Sequence, residues 1–243
     1  MYSAEYQDIG LIEYKKAWEY QDELHAQVLK NREHQPSSDA LGYILFCEHP
    51  HVYTLGNSGN NSNLLISDEM LNRIHATYYK TNRGGDITYH GPGQIVGYPI
   101  LDLQKLNMGI KKYIYTIEEA IIQTLADYHI QAERLEGATG VWLESQNQQK
   151  SRKICAIGVR VSHWISMHGF AFNINTDLNY FNYINPCGFK DKGVTSLQKE
   201  LGHFVPVDEV KTKLLNHLTQ LFNIKTLPYI LNIGKKNTDA IIK

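Results

Sequence analysis

The sequence predicts an α/β fold in which a mixed β-sheet is flanked by helices. β-rich runs such as 41–47 and 94–101 lie between two long stretches with the apolar spacing of amphipathic helices, 14–33 and 110–129. Short strands that alternate with helices of this length are typical of α/β proteins. The chain has 243 residues, of which 42% are hydrophobic, and it contains neither an internal repeat nor a long linker. We therefore expect one domain with a substantial core over residues 1–243.

The predicted helices follow from apolar side chains spaced about 3.6 residues apart. The first helix, 14–33, has this spacing at Ala17, Tyr20, Leu24 and Val28. A second long helix, 110–129, has an apolar stripe at Ile114, Ile117, Ile121, Ile122 and Leu125. A short helix begins at 67–69, and a last one runs from 206–209 to about Phe222. We expect this last helix to form a smaller C-terminal cap, followed by a loosely held tail from about residue 225.

The predicted strands are β-rich runs bounded by polar, glycine or proline residues. In chain order they are 41–47, 51–55, 75–80, 94–101, 141–143, 153–162 and 168–174. The last three resemble a hairpin-rich part of the sheet. The polar loop 56–61, Gly-Asn-Ser-Gly-Asn-Asn, is expected to be flexible and could act as a lid.

Charge and composition exclude several function classes. The chain has 24 basic and 25 acidic residues, so no general nucleic-acid or membrane-surface binding is expected. No signal peptide and no run of roughly 18 apolar residues is present, and we expect a cytoplasmic protein. The three cysteines are Cys47, Cys155 and Cys187. Their wide spacing and odd number support neither a disulfide framework nor a zinc knuckle.

The stretch 83–99 is unlike an ordinary loop. It contains Gly84–Gly85 and Gly91–Gly93 and runs directly into an apolar strand. Glycine adopts positive φ and has no Cβ, so a ligand can lie against bare backbone and use its N–H groups. Arg83 and His90 stand at the two ends of that surface. The alternative interpretation is two tight turns around a short strand, with His90 a polar residue whose hydrogen bonds are satisfied.

Several motifs resemble those of lipoyl(octanoyl) transferases, which move an octanoyl group from acyl carrier protein onto lipoyl domains. Residues 83–90 are Arg-Gly-Gly-Asp-Ile-Thr-Tyr-His, followed by Gly-Pro-Gly-Gln and an apolar run that ends in Tyr-Pro. Further segments agree in order at 48–56, 153–160, 168–173 and 184–188. Two positions depart from the family pattern: Cys155 replaces a small residue, commonly alanine, and His51 stands where a second proline is common.

The resemblance implies the fold shared by biotin and lipoate protein ligases, together with an acyltransferase activity. The implied donor is octanoyl-acyl carrier protein. The implied acceptors are lysines in the lipoyl domains of 2-oxoacid dehydrogenases and in the glycine cleavage H protein. The octanoyl group would pass through a thioester with a cysteine of the enzyme, in the first step of endogenous lipoate biosynthesis. No cofactor is implied, because exchanging one thioester for another and finishing as an amide needs no ATP.

The resemblance also assigns a catalytic pair. Cys187 lies in a turn between proline and glycine, where a nucleophilic thiol has little neighbouring bulk. Lys153 matches the family's Lys-Ile-x-x-Ile-Gly, and its ammonium would favour the thiolate of a cysteine whose ordinary pKa is about 8.5. From the residues alone, Cys187 could be a cysteine incidentally in a turn, and Lys150 or Lys192 would look similar to Lys153. Cys155 is a competing thiol, because a regular strand would place it on the same face as Lys153.

The implied substrate site takes residues from three segments. They are Arg83, Gly84, Gly85, Asp86, Ile87, Thr88, Tyr89, His90, Ala156, Ile157, Gly158, Gly169, Phe170 and Ala171. Backbone N–H groups in the glycine-rich turns are suited to bind the oxyanion of each tetrahedral intermediate. His90 could position the acyl carbonyl or hold the loop together, and we expect binding rather than proton transfer. The remaining histidines are too scattered to predict a metal site.

Two rival functions remain open. An ATP-dependent lipoate or biotin ligase also uses a glycine-rich loop and a lysine on the next strand, but it forms an acyl-adenylate and needs a phosphate cradle instead of a nucleophilic thiol. A non-catalytic module that binds carrier proteins would retain Arg83 and His90, but it would gain nothing from pairing Cys187 with Lys153. Octanoyl transfer measured with and without ATP separates the three functions.

Overall fold

The computed structural model describes residues 1–147, 149–185 and 193–228. The helices in these ranges are α1 (Tyr14–His34), α2 (Asp68–Arg73), α3 (Ile110–Ala126), α4 (Leu197–Leu201) and α5 (Val207–Phe222). The strands are β1 (Ser3–Leu11), β2 (Ala40–Glu48), β3 (Val52–Leu55), β4 (Thr77–Lys80), β5 (Ile87–His90), β6 (Gln94–Leu101), β7 (Glu133–Leu135), β8 (Ala138–Leu143), β9 (Arg152–Ser162), β10 (Ile165–Asn173), β11 (Gly193–Val194) and β12 (Lys225–Pro228). None of the helices described is long and apolar enough to cross a membrane.

The larger sheet is mixed, which confirms the predicted fold class. Its strand order is β12-β1-β2-β6-β10-β9-β8-β7, and β11 pairs with β9 beside this path. β1 runs parallel to both β12 and β2, whereas β2, β6, β10, β9, β8 and β7 pair antiparallel in that order. The predicted hairpin of β9 and β10 is regular, with Gly158 opposite Gly169. These two glycines lie near the middle of the large sheet.

Helices cover both faces of this sheet. Helix α1 buries Ala17, Leu24 and Val28 against β2 and β6, whose side chains include Leu45 and Val96. On the opposite face, α3 and α5 share one core with the sheet. The expected C-terminal cap is therefore wrong for α5, which packs against α3 as part of the main core. Its apolar stripe, repeated every four residues, is buried at Val210, Leu214, Leu218 and Phe222.

A second sheet has the order β4-β3-β5 and a small core of its own. Helix α2 packs beside it and begins where the Ser67 hydroxyl accepts a hydrogen bond from the Met70 N–H, as the sequence predicts for this position. The loop 83–86 leads into β5 and is tied to the large sheet, because the Gly84 N–H donates to the Val159 carbonyl at 3.0 Å. The two sheets therefore meet along the glycine-rich segment.

Two terminal or connecting segments differ from expectation. The first part of the predicted tail, Lys225–Pro228, forms β12 and pairs with β1, in the register Ser3 opposite Lys225. The rest of that tail lies outside the described residues. The polar loop after β3 is bound to the glycine-rich loop, since Asn57 and Ser58 donate backbone N–H groups to the carbonyls of Arg83 and Gly85. These bonds tie the two loops together.

Candidate functional site

The substrate-site residues implied by the resemblance converge on one cavity of about 530 Å³, and all of them except Tyr89 line it. This volume is within the range of roughly 300–1,000 Å³ typical of small-molecule sites. Apolar side chains make up much of the lining, among them Ile110, Ile114, Trp142, Phe170, Phe181 and Val194. Polar side chains contribute at Tyr14, His90, Gln94 and Asn173. The cavity therefore suits a ligand with an apolar chain and a polar group.

One wall of the cavity is bare backbone. A Cβ atom placed on Gly158 would lie 2.7 Å from the Gly84 carbonyl oxygen, and one on Gly84 would lie 3.0 Å from the Val159 carbonyl oxygen. Real side chains do not tolerate the first of these distances, so the loop and β9 approach each other only because of the glycine at 158. Gly85 has φ of +85°, a conformation that glycine adopts at no steric cost. The glycines therefore allow the loop to pack on β9, while the predicted contact of a ligand with this backbone stays a prediction.

Tyr89 lies on the other side of β5. Its ring is completely buried and stacks on Tyr180 at a centroid distance of 4.9 Å, and its hydroxyl lies 2.7 Å from His51 Nδ1. Side chains alternate between the two faces of a strand, so Tyr89 enters the core of the small sheet while Thr88 and His90 line the cavity. The structure therefore separates Tyr89 from the other predicted substrate-site residues.

Arg83 and His90 are joined through Thr54, a buried residue of β3. The Arg83 guanidinium donates to the Thr54 hydroxyl from Nε at 3.1 Å and from Nη2 at 2.9 Å. The same hydroxyl lies 3.3 Å from His90 Nε2. Because the hydroxyl accepts from Arg83, its own proton is directed to His90 Nε2. This bond makes Nε2 an acceptor.

The chain of hydrogen bonds that begins at Arg83 and Thr54, hereafter the relay, continues from the other ring nitrogen of His90. His90 Nδ1 lies 3.0 Å from Gln94 Oε1, and Gln94 Nε2 donates to Asn173 Oδ1 at 2.8 Å. Asn173 Nδ2 in turn donates to the Thr195 carbonyl at 3.0 Å. An amide oxygen only accepts, so His90 carries its proton on Nδ1 and is neutral. Burial, with His49 and Arg83 nearby, holds the pKa of His90 well below its usual value. With both nitrogens bonded, His90 holds the site together in this arrangement.

Lys153 lies half-buried on the cavity wall. Its Nζ donates to the Thr139 carbonyl at 3.0 Å and lies 4.7 Å from the centroid of the Trp142 ring. The alternative Lys150 is exposed and does not line the cavity. Lys192, the other alternative, lies outside the described residues. The geometry therefore favours Lys153 over Lys150 as the lysine of the site.

Cys155 and Lys153 leave β9 on different faces, although the Lys153 ammonium is near enough to act against the burial of the thiol. In the pairing of β8 with β9, Trp142 is opposite Lys153 and Val141 is opposite Cys155, so Ile154 is an extra residue. This β-bulge breaks the regular alternation that would place Lys153 and Cys155 on one face. Cys155 is fully buried in the core, and burial raises the pKa of its thiol. Full burial disfavours the Cys155 thiolate and counts against it as the nucleophile, and the assignment of that role to Cys187 stays a prediction.

The predicted nucleophile, Cys187, lies outside the described residues. The chain approaches that stretch at Asn185, whose N–H donates to the Asn63 carbonyl at 2.8 Å. It resumes in β11, where Gly193 and Val194 pair with β9 and line the cavity. Val194 is opposite Lys153 in this register. The chain after the gap therefore lines the cavity, and the chain before it is bonded to Asn63, whose side chain donates to the lining residue Asp86.

Several residues that line the cavity are not among those predicted from the sequence. They include Tyr14, Gln94, Tyr98, Trp142, His168 and Asn173. Gln94, His168 and Asn173 lie inside the family motifs, so their position was a usable signal. Tyr98 also lies inside them, at the end of the apolar run, whereas Tyr14 and Trp142 are aromatic residues of ordinary helix and strand patterns and gave none. No three His, Cys, Asp or Glu side chains in the described part of the chain come together as a metal site.

Comparison with known proteins agrees with this geometry. The family model for the lipoyl protein ligase A/B catalytic domain matches residues 13–219. The chain is 52% identical over 224 residues to the octanoyltransferase of Cytophaga hutchinsonii, covering 90% of this chain and 92% of that protein. It is 56% identical over 222 residues to the octanoyltransferase of Flavobacterium psychrophilum, covering 89% and 95%.

Solved structures show the same fold at low sequence identity. A lipoate-protein ligase A bound with ATP has a TM-score of 0.66 at 14% identity, with 95% of this chain and 90% of that chain covered. The bipartite lipoate protein ligase of Thermoplasma acidophilum, studied with its E2 lipoyl domain, has a TM-score of 0.69 at 14% identity, with 95% and 89% covered. The matching family model and the relatives that are more than half identical lead to one conclusion: the chain belongs to the lipoyl protein ligase A/B catalytic domain family.

Proposed function

We propose that this chain is an octanoyltransferase of the cytoplasm. It takes an octanoyl group from octanoyl-acyl carrier protein and transfers it to the lysine of a lipoyl domain, through a thioester at Cys187. The observation that carries this proposal is the 52–56% identity to proteins named octanoyltransferase over about nine tenths of the chain. The acceptors are the lipoyl domains of 2-oxoacid dehydrogenases and the glycine cleavage H protein, and the reaction begins endogenous lipoate biosynthesis.

The lining of the cavity supports an acyl substrate. Ile114, Trp142 and Phe170 offer an apolar surface on which an eight-carbon chain can be buried, at about 0.8 kcal/mol for each methylene group removed from water. The bare backbone around Gly84 and Gly158 lets the thioester approach without a clash. The Gly84 N–H is bonded to the Val159 carbonyl, so the oxyanion would take its hydrogen bonds from other backbone N–H groups of the glycine-rich turns.

The first half-reaction exchanges one thioester for another. The Cys187 thiolate attacks the octanoyl carbonyl carbon, a carbon–sulfur bond forms, and the bond to the carrier's sulfur breaks. The carrier leaves as a thiol after it takes up a proton, which the Lys153 ammonium supplies. The same ammonium favours the Cys187 thiolate before the attack, because a neighbouring cation stabilises the charged form.

The second half-reaction forms the amide. The neutral amine of the lipoyl-domain lysine attacks the thioester carbonyl, a carbon–nitrogen bond forms, and the bond to Cys187 sulfur breaks. Lys153 accepts the proton that the amine loses, which regenerates the ammonium beside the Cys187 thiolate. No phosphoryl group enters either step, so ATP has no part in this proposal.

A transfer assay tests this proposal against its rivals. Octanoyl-acyl carrier protein and a purified lipoyl domain are incubated with the enzyme, with and without ATP and magnesium, and the mass of the lipoyl domain is measured. The proposal expects the same octanoylated product in both conditions, and none from free octanoate with ATP. A strict ATP requirement would identify a ligase, and binding of the carrier without product would identify a binding module.

The role of Lys153 has its own test. Replacing Lys153 with methionine removes the cation, so the pKa of the Cys187 thiol should rise. Alkylation of Cys187 by iodoacetamide, followed by peptide mass spectrometry, should slow near neutral pH and recover as the pH increases. An unchanged pH profile would assign the activation of the thiol to another group.

A further inference from the structure

Lys153 is packed against Trp142, an aromatic residue whose part in the reaction above is limited to burying the acyl chain. The two residues are directly opposite each other where β8 pairs with β9. Side chains at opposed positions leave the sheet on the same face. The Lys153 ammonium lies over the Trp142 ring, 4.7 Å from its centroid. This distance is within the roughly 6 Å over which a cation is attracted to an aromatic face.

The β-bulge at Ile154 produces this pairing. Without the extra residue, the register that places Val141 opposite Cys155 would place Trp142 opposite Ile154. The bulge brings Lys153 into that position instead, and both Trp142 and Lys153 line the cavity. Bulges redirect side chains in this way and are frequent next to active sites. The β-bulge therefore places the proposed catalytic lysine, Lys153, opposite the Trp142 ring.

The ring that receives the ammonium is itself fixed. Trp142 is 2% exposed, and its indole Nε1–H donates to the Ala138 carbonyl at 2.9 Å. The Lys153 ammonium also donates to the Thr139 carbonyl, one residue further along β8. A single short strand thus supplies the carbonyl that accepts the ammonium proton and the ring face over which the ammonium lies.

We infer that Trp142 is a positioning residue for Lys153. Its ring face keeps the ammonium charged at the cavity wall and fixes the direction from which it acts. The inference rests on the proposed function for the use of that ammonium, but the contact itself is testable without turnover. Tryptophan has the strongest attraction for cations among the aromatic side chains, and a leucine in its place offers none.

The first test measures the ionisation of Lys153 directly. The pH dependence of its labelling by acetic anhydride, read by peptide mass spectrometry, gives its apparent pKa in the parent, in Trp142→Leu and in Trp142→Phe. Loss of the ring face should lower the pKa, and the ratio of amine to ammonium at a fixed pH should rise about three- to tenfold in Trp142→Leu. Trp142→Phe keeps an aromatic face and should change it by less.

A matched control uses another lysine over an aromatic ring. Lys213 lies 5.4 Å from the centroid of the Tyr128 ring, away from the cavity. Tyr128→Leu also replaces an aromatic ring beneath a lysine with leucine, and it should leave the Lys153 pKa unchanged. An equal pKa of Lys153 in the parent and in Trp142→Leu would overturn the inference.

A measurement on the parent protein keeps the inference falsifiable if Trp142→Leu does not fold. Protons on the Lys153 side chain that lie over the indole face should have resonances shifted upfield, assigned by their loss in Lys153→Met. Lysine resonances without such a shift would overturn the inference. Failure of the proposed function is distinguishable from failure of this inference. An unchanged pH profile of Cys187 alkylation in Lys153→Met would show that Lys153 does not activate the thiol, whether or not Trp142 contacts the lysine.

Discussion

Three buried histidines should make this fold sensitive to acid. His49, His90 and His168 are 0%, 6% and 1% exposed. Burial lowers the pKa of His49 to about 4 and that of His168 to about 3, and it holds the pKa of His90 well below its usual value. All three are therefore neutral in the folded protein at neutral pH, and none can take up a proton without leaving its environment or carrying a buried charge.

The sign of the effect follows from proton binding. A histidine in the unfolded chain is protonated below a pKa of about 6.5, whereas folded His168 is protonated only near 3. Between these values the unfolded state binds more protons, so the free energy of unfolding falls as the pH decreases. Each pH unit in this window costs about 1.4 kcal/mol for each histidine. At pH 5, which is about 1.5 units into the window, His168 alone costs about 2 kcal/mol.

Urea denaturation at pH 7.5 and at pH 5.0 measures this cost. The parent should lose several kcal/mol between the two conditions, and His168→Gln should lose about 2 kcal/mol less, because glutamine does not titrate. His203 is exposed, so His203→Gln should show the parental loss. Comparing the two pH values within each variant removes the constant effect of the substitution. An equal loss in His168→Gln and in the parent would show that His168 does not take up a proton on unfolding in this pH range.

Two further predictions concern the relay and the glycine wall. Gln94→Leu removes three buried hydrogen bonds of that side chain and should lower the free energy of unfolding in urea by about 3 kcal/mol. The exposed control Gln198→Leu should change it by less than about 0.5 kcal/mol. A small effect at Gln94 would mean that the relay is not formed. Gly158→Ala places a Cβ 2.7 Å from the Gly84 carbonyl oxygen and should reduce kcat/KM for octanoyl transfer about tenfold or more. In the control Gly109→Ala the Cβ meets nothing within 4 Å, so kcat/KM should not change. An equal kcat/KM in Gly158→Ala and the parent would contradict the close packing of the loop on β9.

Much of the fold could be predicted because local pattern and final structure agree. Helix α1 carries apolar side chains with the helical period and β6 is a short, continuous apolar run, and the structure confirms both elements. β1 was missed because its sequence, Ser-Ala-Glu-Tyr-Gln-Asp-Ile-Gly-Leu, has no alternation and is held by parallel pairing with β2 and β12. Such pairing joins distant parts of the chain, which no local pattern indicates.

The site shows the same division. The glycine motif drew attention to Gly84, but its packing against Gly158 of β9 joins distant parts of the chain and could not be predicted from the motif. Tyr89 could have been separated from its neighbours by strand alternation alone. The bulge at Ile154, which separates Lys153 from Cys155, depends on the register between β8 and β9 and could not be predicted from the sequence.

Trapping the acyl-enzyme shows which thiol carries the octanoyl group. The enzyme is incubated with octanoyl-acyl carrier protein without an acceptor, and the modified residue is identified by peptide mapping. The account predicts one octanoyl group on Cys187, removable by hydroxylamine as a thioester is. Cys187→Ser should lose both this adduct and turnover, whereas Cys155→Ala should keep both, because Cys155 is fully buried. An adduct on Cys155, or full turnover in Cys187→Ser, would contradict the account.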